Sequence, residues 1–395
     1  MTKYAIIIPD GAADFPLEAF EGKSVIEAAK TPHMDEIAFM GKQGIVRTVP
    51  PGLTPGSDVA MMSLLGYDPL VYYSGRAPLE AVAQDIRLGA NDWVFRCNLV
   101  TIADGRMADH SAGHISTKEG AALIKELANK LDAAHISFHP GLSYRHLCVI
   151  NGVTFKVITT PPHDIIGDKV SRYMPHGRGS EVLVEIMEVS QELFAEHDVN
   201  RVRRDLGENP VSSVWLWGQG QKAVMERFSS RFGMKGAAIT AVDLVKGLAK
   251  LVGFDLIDVP GATGYFDTNY KGKGAAAVKA LSEYDLVVVH IEAPDEAGHS
   301  GNAQVKKKAL ELIDEHIVGP VHKALKQYDS YRILVMPDHP TPVQTRSHTG
   351  DPVPFAMAGH AIQGVMRKSF CEKNAYESGF SIENGFEMME YFLKT

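Results

Sequence analysis

Aspartate and histidine residues recur in this chain at the ends of apolar segments, where their side chains could share a metal ion. They are, in chain order, Asp10, Asp295, His299, Asp338, His339 and His348. Carboxylate and imidazole groups together are ligands of borderline divalent ions such as Mn²⁺ and Zn²⁺. Two such ions about 4 Å apart stabilise both the attacking and the leaving oxygen of a phosphoryl transfer. The residue types therefore predict a metal-dependent phosphoryl site.

A candidate nucleophile, Ser57, lies in the segment Thr-Pro-Gly-Ser-Asp at 54–58. Pro55 and Gly56 predict a turn, and the apolar residues that follow predict a buried helix starting near Asp58. The free N–H groups at a helix N-terminus favour an anion, which suits an alkoxide or a phosphoserine. The alternative is that Ser57 only caps the helix, which is the commoner role of such a serine. The six potential metal ligands elsewhere in the chain favour the catalytic interpretation.

The elements that must position these residues are short apolar strands that alternate with helical patterns. Residues 4–8, 285–291 and 332–336 form continuous apolar runs, which are typical of buried parallel strands. The alternation with helices predicts an α/β fold with a mostly parallel sheet flanked by helices. Ligand sites in such sheets lie beyond the carboxyl ends of the strands. We therefore expect the acidic motifs to meet at one edge of the sheet.

The texture of the sequence changes between about residues 86 and 200, where loops rich in Pro, Gly, Arg and His separate a few strands and helices. A capping box at Ser116–Glu119 starts one clear helix there. We predict that 86–200 is a smaller inserted α+β domain, which binds substrate and caps the site. Residues 1–85 and 201–395 would then form the metal-binding domain, with α/β texture resuming at a strand near 211–217.

Composition and charge exclude several classes of function. The chain has 395 residues and a net charge of −8, so it offers no basic field for nucleic acid or an anionic membrane. Three cysteines without a CxxC pair argue against disulfides and a cysteine metal site. No apolar run is long enough to span a bilayer, and no cleavable signal precedes the first strand, so we expect a cytoplasmic enzyme. Gly218-x-Gly220 is only a weak dinucleotide signal, and no P-loop occurs. The oligomeric state is not predicted.

Seven motifs, in order along nearly the whole chain, also resemble a known family. They are Ile-Pro-Asp-Gly (8–11), Thr-Pro-Gly-Ser-Asp-Val-Ala (54–60), Ser-Gly-Arg-Ala-Pro-Leu-Glu-Ala (74–81), Ser-Tyr-Arg-His (143–146), Ala-Val-Asp-Leu-Val-Lys-Gly (241–247), Ala-Pro-Asp-Glu-Ala-Gly-His (293–299) and Pro-Asp-His-Pro-Thr-Pro (337–342). The chain resembles the archaeal-type branch of cofactor-independent phosphoglycerate mutases, within the alkaline phosphatase superfamily. The resemblance implies an alkaline-phosphatase-like α/β fold.

The resemblance also implies two divalent ions, Mn²⁺ or Zn²⁺ with Mg²⁺ as a further candidate, and an isomerase reaction. In the family, one ion is held by the residues that match Asp295, His299 and His348. The other is held by the residues that match Asp10, Ser57, Asp338 and His339. The serine matching Ser57 accepts the phosphoryl group and returns it to the other hydroxyl of the glycerate, which interconverts 2- and 3-phosphoglycerate.

A mutase must keep water from the phosphoserine, so the inserted domain is expected to close over the site and bind the substrate carboxylate. Arginine offers bidentate geometry for a carboxylate. The candidate substrate-binding residues are Arg145, Arg96, Asn98, His110 and His114. Lys235, just before a core strand, is a further candidate for contacting the phosphoryl group.

Three other functions stay open from the sequence. Segments such as Trp-Leu-Trp-Gly-Gln-Gly (215–220), Pro-Gly-Ala-Thr-Gly-Tyr (260–265) and Asp-Pro-Val-Pro-Phe (351–355) also resemble a bacterial sister group for which homoserine kinase activity has been proposed. A phosphomonoesterase would result if water reached the phosphoserine. A binding protein without catalysis is the third alternative, and metal content would separate it from the enzymes.

Overall fold

The computed structural model describes residues 2–131 and 133–394, and the chain divides into two compact units. The larger unit comprises Met1–Tyr73 and Val224–Thr395, and the smaller unit comprises Ser74–Ala223.

The strands are β1 (Lys3–Pro9), β2 (Lys42–Val46), β3 (Trp93–Ala103), β4 (Arg106–Asp109), β5 (Ile136–His139), β6 (Arg145–Ile150), β7 (Lys156–Ile158), β8 (His176–Arg178), β9 (Ser213–Gln221), β10 (Gly236–Ile239), β11 (Asp255–Leu256), β12 (Leu286–Ile291), β13 (Tyr331–Val335), β14 (Val353–Gly359) and β15 (Ser381–Ile382).

The α-helices are α1 (Val25–Ala28), α2 (Pro32–Met40), α3 (Ser57–Leu64), α4 (Pro69–Tyr72), α5 (Arg76–Ala83), α6 (Thr117–Leu131), α7 (Ser180–Ala195), α8 (Asp198–Asp205), α9 (Phe228–Phe232), α10 (Asp243–Val252), α11 (Tyr270–Ala280), α12 (Ala293–His299), α13 (Ala303–Ile313), α14 (Gly319–Leu325), α15 (Glu372–Glu377) and α16 (Glu387–Lys394). Single 3₁₀ turns occur at Glu18–Phe20, Pro162–Ile165 and Val170–Arg172, and a π-helical turn joins α13 to α14 at Asp314–Val318.

The larger unit is built on an eight-stranded sheet in the order β11-β10-β12-β1-β13-β14-β2-β15. The central strand β1 pairs in parallel with both β12 and β13, and β14 runs antiparallel between β13 and β2. The apolar residues of β1, β12 and β13 are buried on both faces, as expected for a sheet covered by helices. The predicted α/β fold with a mostly parallel sheet is confirmed. The carboxyl ends of β10, β12, β1 and β13 consequently lie at one edge.

The smaller unit has a five-stranded antiparallel sheet in which β3 is central. Its order is β4-β3-β6-β5, and β9 pairs with the other side of β3. Residues of α6 and α7, including Leu123, Leu127, Leu183 and Ile186, share its apolar core. A separate two-stranded sheet pairs β7 with β8.

The smaller unit extends beyond the predicted bounds of 86–200 at both ends, because α5 and β9 belong to it. β9 pairs antiparallel with β3 from Trp93 to Val100, and Ala77 and Ala81 of α5 pack with Val94. The prediction that the strand near 211–217 belongs to the larger sheet was therefore wrong. Gly220, in the weak dinucleotide motif, lies in β9 at a point where a Cβ would collide with the Ser74 carbonyl. That glycine serves strand packing.

Within residues 2–131 and 133–394, no helix has both the length and the apolar character that a membrane crossing requires.

Acid should destabilise the smaller unit through His146. Burial lowers the pKa of this imidazole from 6.5 to about 4. The side chain is 2% exposed, and its Nδ1 accepts a hydrogen bond from the Gly141 N–H at 3.0 Å. The unfolded chain takes up the proton near pH 6.5, whereas the folded unit does so only near pH 4. The contribution of neutral His146 to the free energy of unfolding is therefore fully present above pH 6.5, and it is lost as the pH falls from 6.5 towards 4.

We expect His146→Asn, which keeps an acceptor for Gly141, to remove about 2 kcal/mol of the stability loss between pH 7 and pH 5. The chain's three tryptophans, Trp93, Trp215 and Trp217, all belong to the smaller unit, so fluorescence-detected urea unfolding reports on it. His176→Asn, at an exposed histidine of the same unit, is the control. The same pH response in wild type and His146→Asn would contradict the assignment.

Candidate active site

The six predicted metal ligands and Ser57 all belong to the larger unit, and they meet at the carboxyl edge of its sheet. Asp10 directly follows β1, and Asp338 and His339 follow β13. Asp295 and His299 lie in α12, which follows β12 with only Glu292 between them. Local sequence places Asp10, Asp295 and Asp338 just after strands, and parallel pairing of these strands brings their ends together.

One group of three side chains consists of Asp295, His299 and His348. The spacing of four residues in α12 puts Asp295 and His299 on one helix face. The Nε2 atom of His299 lies 3.3 Å from Asp295 Oδ2 and 2.8 Å from His348 Nε2, and His348 Nε2 lies 3.4 Å from Asp295 Oδ1. Three ligand atoms thus converge on one point.

Backbone carbonyls fix the two histidines of this group. His299 Nδ1 lies 3.0 Å from the Arg346 oxygen, and His348 Nδ1 lies 3.2 Å from the Pro55 oxygen. A carbonyl can only accept a hydrogen bond, so each Nδ1 carries the proton. A neutral imidazole with its proton at Nδ1 has its lone pair at Nε2, which is the arrangement that metal-binding histidines have.

A second group consists of Asp10, Asp338, His339 and Ser57. His339 Nε2 lies 3.5 Å from both Asp10 Oδ1 and Asp338 Oδ2. The Ser57 hydroxyl donates to Asp10 Oδ2 at 3.3 Å and lies 3.2 Å from His339 Nε2. The two aspartates and His339 are fully buried.

Ser57 does not cap its helix. α3 begins at Ser57 with Gly56 in the capping position, and no side chain caps that end. The Ser57 hydroxyl instead lies between Asp10 and His339. The structure therefore favours a functional serine over the capping role that the sequence left open.

The donor atoms of both groups fit divalent ions. Atoms about 2.1 Å from one ion and arranged tetrahedrally lie about 3.4 Å apart, and the histidine–aspartate separations above are 3.3–3.5 Å. Asp10 Oδ1 and Asp338 Oδ2 are buried without a hydrogen-bond partner among the described residues. Burial, followed by the charge of Asp338, raises the pKa of Asp10 well above its ordinary value. Buried carboxylates without donors require a counter-charge, which a bound cation supplies.

Sequence reasoning missed several residues around these groups. Thr341 donates a hydrogen bond to Asp295 Oδ1, and the backbone oxygen of Thr341 accepts one from the buried Lys306 ammonium at 2.8 Å. His290 and Glu292 lie beside Asp10 at the end of β12. A histidine within an otherwise apolar strand was the available signal for His290.

Five of the predicted substrate-binding residues belong to the smaller unit, and the structure groups them around Tyr144 and Trp217. Asn98 on β3 is paired with Arg145 on β6, and its side-chain oxygen accepts a hydrogen bond from Trp217 Nε1 at 3.2 Å. The rings of His110 and His114 lie 5.7 and 6.2 Å from that of Tyr144.

The two arginines of this group differ in their partners. Arg96 is buried, with Nε 3.1 Å from Glu80 Oε2 and its guanidinium over the Trp217 ring at 4.4 Å. Burial lowers the pKa of Arg96 to about 10. The exposed Arg145 lies over the Tyr144 ring at 5.2 Å and forms no ion pair with a carboxylate in the described part of the chain. Sequence reasoning did not single out Glu80, Tyr144 or Trp217.

Lys235 is not part of either group. It belongs to the larger unit but precedes β10, so it lies at the amino end of that strand, opposite the edge that carries Asp10. Its Nζ lies 3.5 Å from Asp255 Oδ2 and 4.4 Å from the centre of the Tyr284 ring. The expected contact with a phosphoryl group at the carboxyl edge is therefore not supported.

Comparisons with known proteins agree with this geometry. The family model described as 2,3-bisphosphoglycerate-independent phosphoglycerate mutase matches residues 38–200. Proteins of that name from Methanothrix thermoacetophila and Methanosarcina acetivorans are 47% identical over 99% of both chains and 50% identical over 90% of both chains. The solved structure of cofactor-independent phosphoglycerate mutase from Thermoplasma acidophilum has a TM-score of 0.67 and 27% identity, covering 100% of this chain and 99% of that one. On this evidence the chain belongs to the 2,3-bisphosphoglycerate-independent phosphoglycerate mutase family.

Proposed function

We propose that this chain interconverts 2- and 3-phosphoglycerate without bisphosphoglycerate, through a phosphoserine at Ser57. The observation that carries the proposal is the Ser57 hydroxyl between Asp10 and His339, in a chain whose relatives are named phosphoglycerate mutases. The enzyme is an isomerase, and its substrate is a small phosphorylated hydroxy acid. We infer that it acts in the cytoplasm.

Two divalent ions, Mn²⁺ or Zn²⁺, are part of the proposal. One would be held by Asp295, His299 and His348, and the other by Asp10, Ser57, Asp338 and His339. Bound ions would lower the pKa of the serine hydroxyl and neutralise charge on the phosphoryl group.

The chain's own residues orient the transfer. Asp10 Oδ2 accepts the hydrogen bond of the Ser57 hydroxyl. The serine proton therefore leaves Oγ towards Asp10 Oδ2 as Oγ attacks phosphorus. A bond forms between Ser57 Oγ and phosphorus, and the bond from phosphorus to the substrate oxygen breaks. The freed glycerate oxygen takes up the proton that Ser57 released and becomes a hydroxyl group. In the second half-reaction the other hydroxyl loses its proton and its oxygen forms a bond to phosphorus, while the bond from phosphorus to Ser57 Oγ breaks and Oγ takes up a proton. Both half-reactions use the same residues, because the first transfers the phosphoryl group to Ser57 and the second transfers it from Ser57 to the substrate.

The glycerate must stay bound between the two halves, and we propose that the smaller unit supplies the group for its carboxylate. Arg145 is the first candidate because its guanidinium has no carboxylate partner in the described part of the chain, whereas Arg96 is paired with Glu80. Asn98, His110 and His114 lie in the same group of side chains. Retention of the acid together with exclusion of water would separate a mutase from a phosphatase.

Arg145→Ala should lower kcat/KM for 3-phosphoglycerate by about 10- to 100-fold, because a charged hydrogen bond to the carboxylate is lost. Hydrolysis of p-nitrophenyl phosphate, which has no carboxylate, should change less than about twofold. Arg172→Ala, at an exposed arginine of the same unit, is the control and should leave both rates unchanged. An equal loss in both assays would remove Arg145 as the carboxylate anchor.

Phosphorus NMR of 3-phosphoglycerate with the purified chain and Mn²⁺, without nucleotide or bisphosphoglycerate, tests the function. Appearance of 2-phosphoglycerate without inorganic phosphate is the expected result. Inorganic phosphate alone would indicate a phosphomonoesterase. An unchanged spectrum would contradict the mutase assignment, and ATP with homoserine would then test the kinase alternative.

A further inference from the structure

A third group of potential ligands adjoins the second one and shares only Asp10 with it. Its other members are His290, the penultimate residue of β12, and Glu292, which immediately precedes α12. One ligand atom from each of the three residues lies within 4.8 Å of the others. Neither His290 nor Glu292 has a role in the two-ion mechanism proposed above.

His290 is held in an orientation that suits a ligand. The side chain is 1% exposed, and its Nε2 has no hydrogen-bond partner in the described part of the chain although it lies 3.0 Å from Asp10 Oδ2. Its other ring nitrogen, Nδ1, lies 3.3 Å from the Thr240 hydroxyl, which also accepts the Val242 N–H at 3.1 Å. A partner on Nδ1 fixes the ring and keeps Nε2 directed at Asp10.

Glu292 brings a carboxylate oxygen that is buried. Its Oε2 has no hydrogen-bond partner among the described residues. The buried ammonium of Lys273 is near, but its Nζ donates to the His290 backbone oxygen at 3.0 Å and not to Glu292 Oε2. A buried carboxylate oxygen without a donor is costly unless a cation or a water fills the place.

The carboxylate of Asp10 faces two different histidines. Its Oδ1 lies 3.5 Å from His339 Nε2, and its Oδ2 lies 3.0 Å from His290 Nε2. Ligands about 2.1 Å from one ion lie about 3.0 Å apart when they meet it at a right angle, as in octahedral coordination. The separation of 3.0 Å therefore fits two ligands that meet one ion at about a right angle.

We propose that Asp10, His290 and Glu292 bind a third divalent cation, with water completing its coordination. One imidazole and two carboxylates favour Mn²⁺ over Mg²⁺, which prefers oxygen ligands alone. The site includes Asp10 Oδ2, the oxygen that accepts the hydrogen bond of the Ser57 hydroxyl, so the cation would fix that carboxylate and thereby the orientation of the nucleophile. The proposal concerns metal binding and stands apart from the choice of substrate.

Counting bound Mn²⁺ tests the proposal. Titration of the metal-free chain, followed by the EPR signal of free Mn²⁺, should show three bound ions per chain in the wild type. Glu292→Gln keeps the size of the side chain, and His290→Asn keeps a polar group for the contact with Thr240. Each variant should bind two ions, and the affinities of the two remaining sites should change by less than about threefold. Glu372→Gln is the control, because Glu372 is also a partly buried glutamate but belongs to none of the three ligand groups. Burial raises the pKa of Glu372 to about 7. This variant should still bind three ions.

The wild-type count by itself can overturn the proposal, so the test does not depend on how well the variants fold. Two bound ions in the wild type, unchanged in both variants, would make His290 and Glu292 neighbours that only orient Asp10. That result would leave the two-ion mechanism intact. A count below two would overturn the third site and the two-ion mechanism together.

Discussion

Replacing Ser57 with alanine should lower mutase turnover by about 10⁴-fold or more while Mn²⁺ continues to stabilise the chain against heat. The substitution removes the protein atom that the mechanism uses as its nucleophile, and losses of this size are usual for such a residue. The six carboxylate and imidazole ligands remain, so metal binding should persist with a modest loss of affinity. Turnover and metal-dependent stability should therefore separate.

A second serine of the same helix provides a matched control. Ser63 is buried in α3, and its hydroxyl donates to the Thr48 backbone oxygen at 2.5 Å. Ser63→Ala should cost about 1 kcal/mol of stability through this lost hydrogen bond and leave turnover within about twofold. Coupled-enzyme rates and thermal unfolding with and without Mn²⁺ would measure both effects. Turnover that survives in Ser57→Ala would exclude the phosphoserine mechanism.

The convergence of Asp10, Asp295 and Asp338 could be predicted because it depends on local pattern and one general rule. Each residue follows an apolar run, and parallel strands end at the same edge. The same rule argues against Lys235, since a residue that precedes a parallel strand lies at the opposite edge. The direction of β10 could be inferred from the sequence, and the prediction that Lys235 contacts the phosphoryl group did not use it.

Other features depend on contacts that the sequence does not express. The apolar run of β9 would suit a strand of either sheet, and only its antiparallel pairing with β3 shows where it belongs. Lys306 is one of three successive lysines that look equally solvated. In the fold, it alone of the three is fully buried, and its Nζ lies 2.7 Å from Asp14 Oδ2. Likewise, His290 Nε2 lies 3.0 Å from Asp10 Oδ2 because β1 pairs with β12 and places Asp10 beside it.

Asp338→Asn should have opposite effects on the metal-free and the metal-bound chain. Asp338 Oδ1 accepts the backbone N–H of Gly11 and of His339, which an asparagine oxygen can also do. Its Oδ2, which faces His339, would become an NH₂ group that cannot bind a cation. The variant should therefore bind one Mn²⁺ fewer, and turnover should fall about 10³-fold because the lost ion supplied several kcal/mol of charge stabilisation.

Without metal, the same change removes a negative charge beside Asp10. Burial, and then the negative charge of Asp338, raises the pKa of Asp10, because a neighbouring carboxylate disfavours the charged form. Metal-free Asp338→Asn should thus be at least as stable as the metal-free wild type, yet gain less from Mn²⁺. Thermal unfolding across a Mn²⁺ titration measures both. Asp35→Asn is the control, since Asp35 Oδ1 also accepts a backbone N–H, from Phe370 at 2.8 Å, away from the ligand groups. If Mn²⁺ stabilised Asp338→Asn as strongly as it stabilised Asp35→Asn, Asp338 would not be a metal ligand, and the carboxylate pair would have to be held by hydrogen bonds alone.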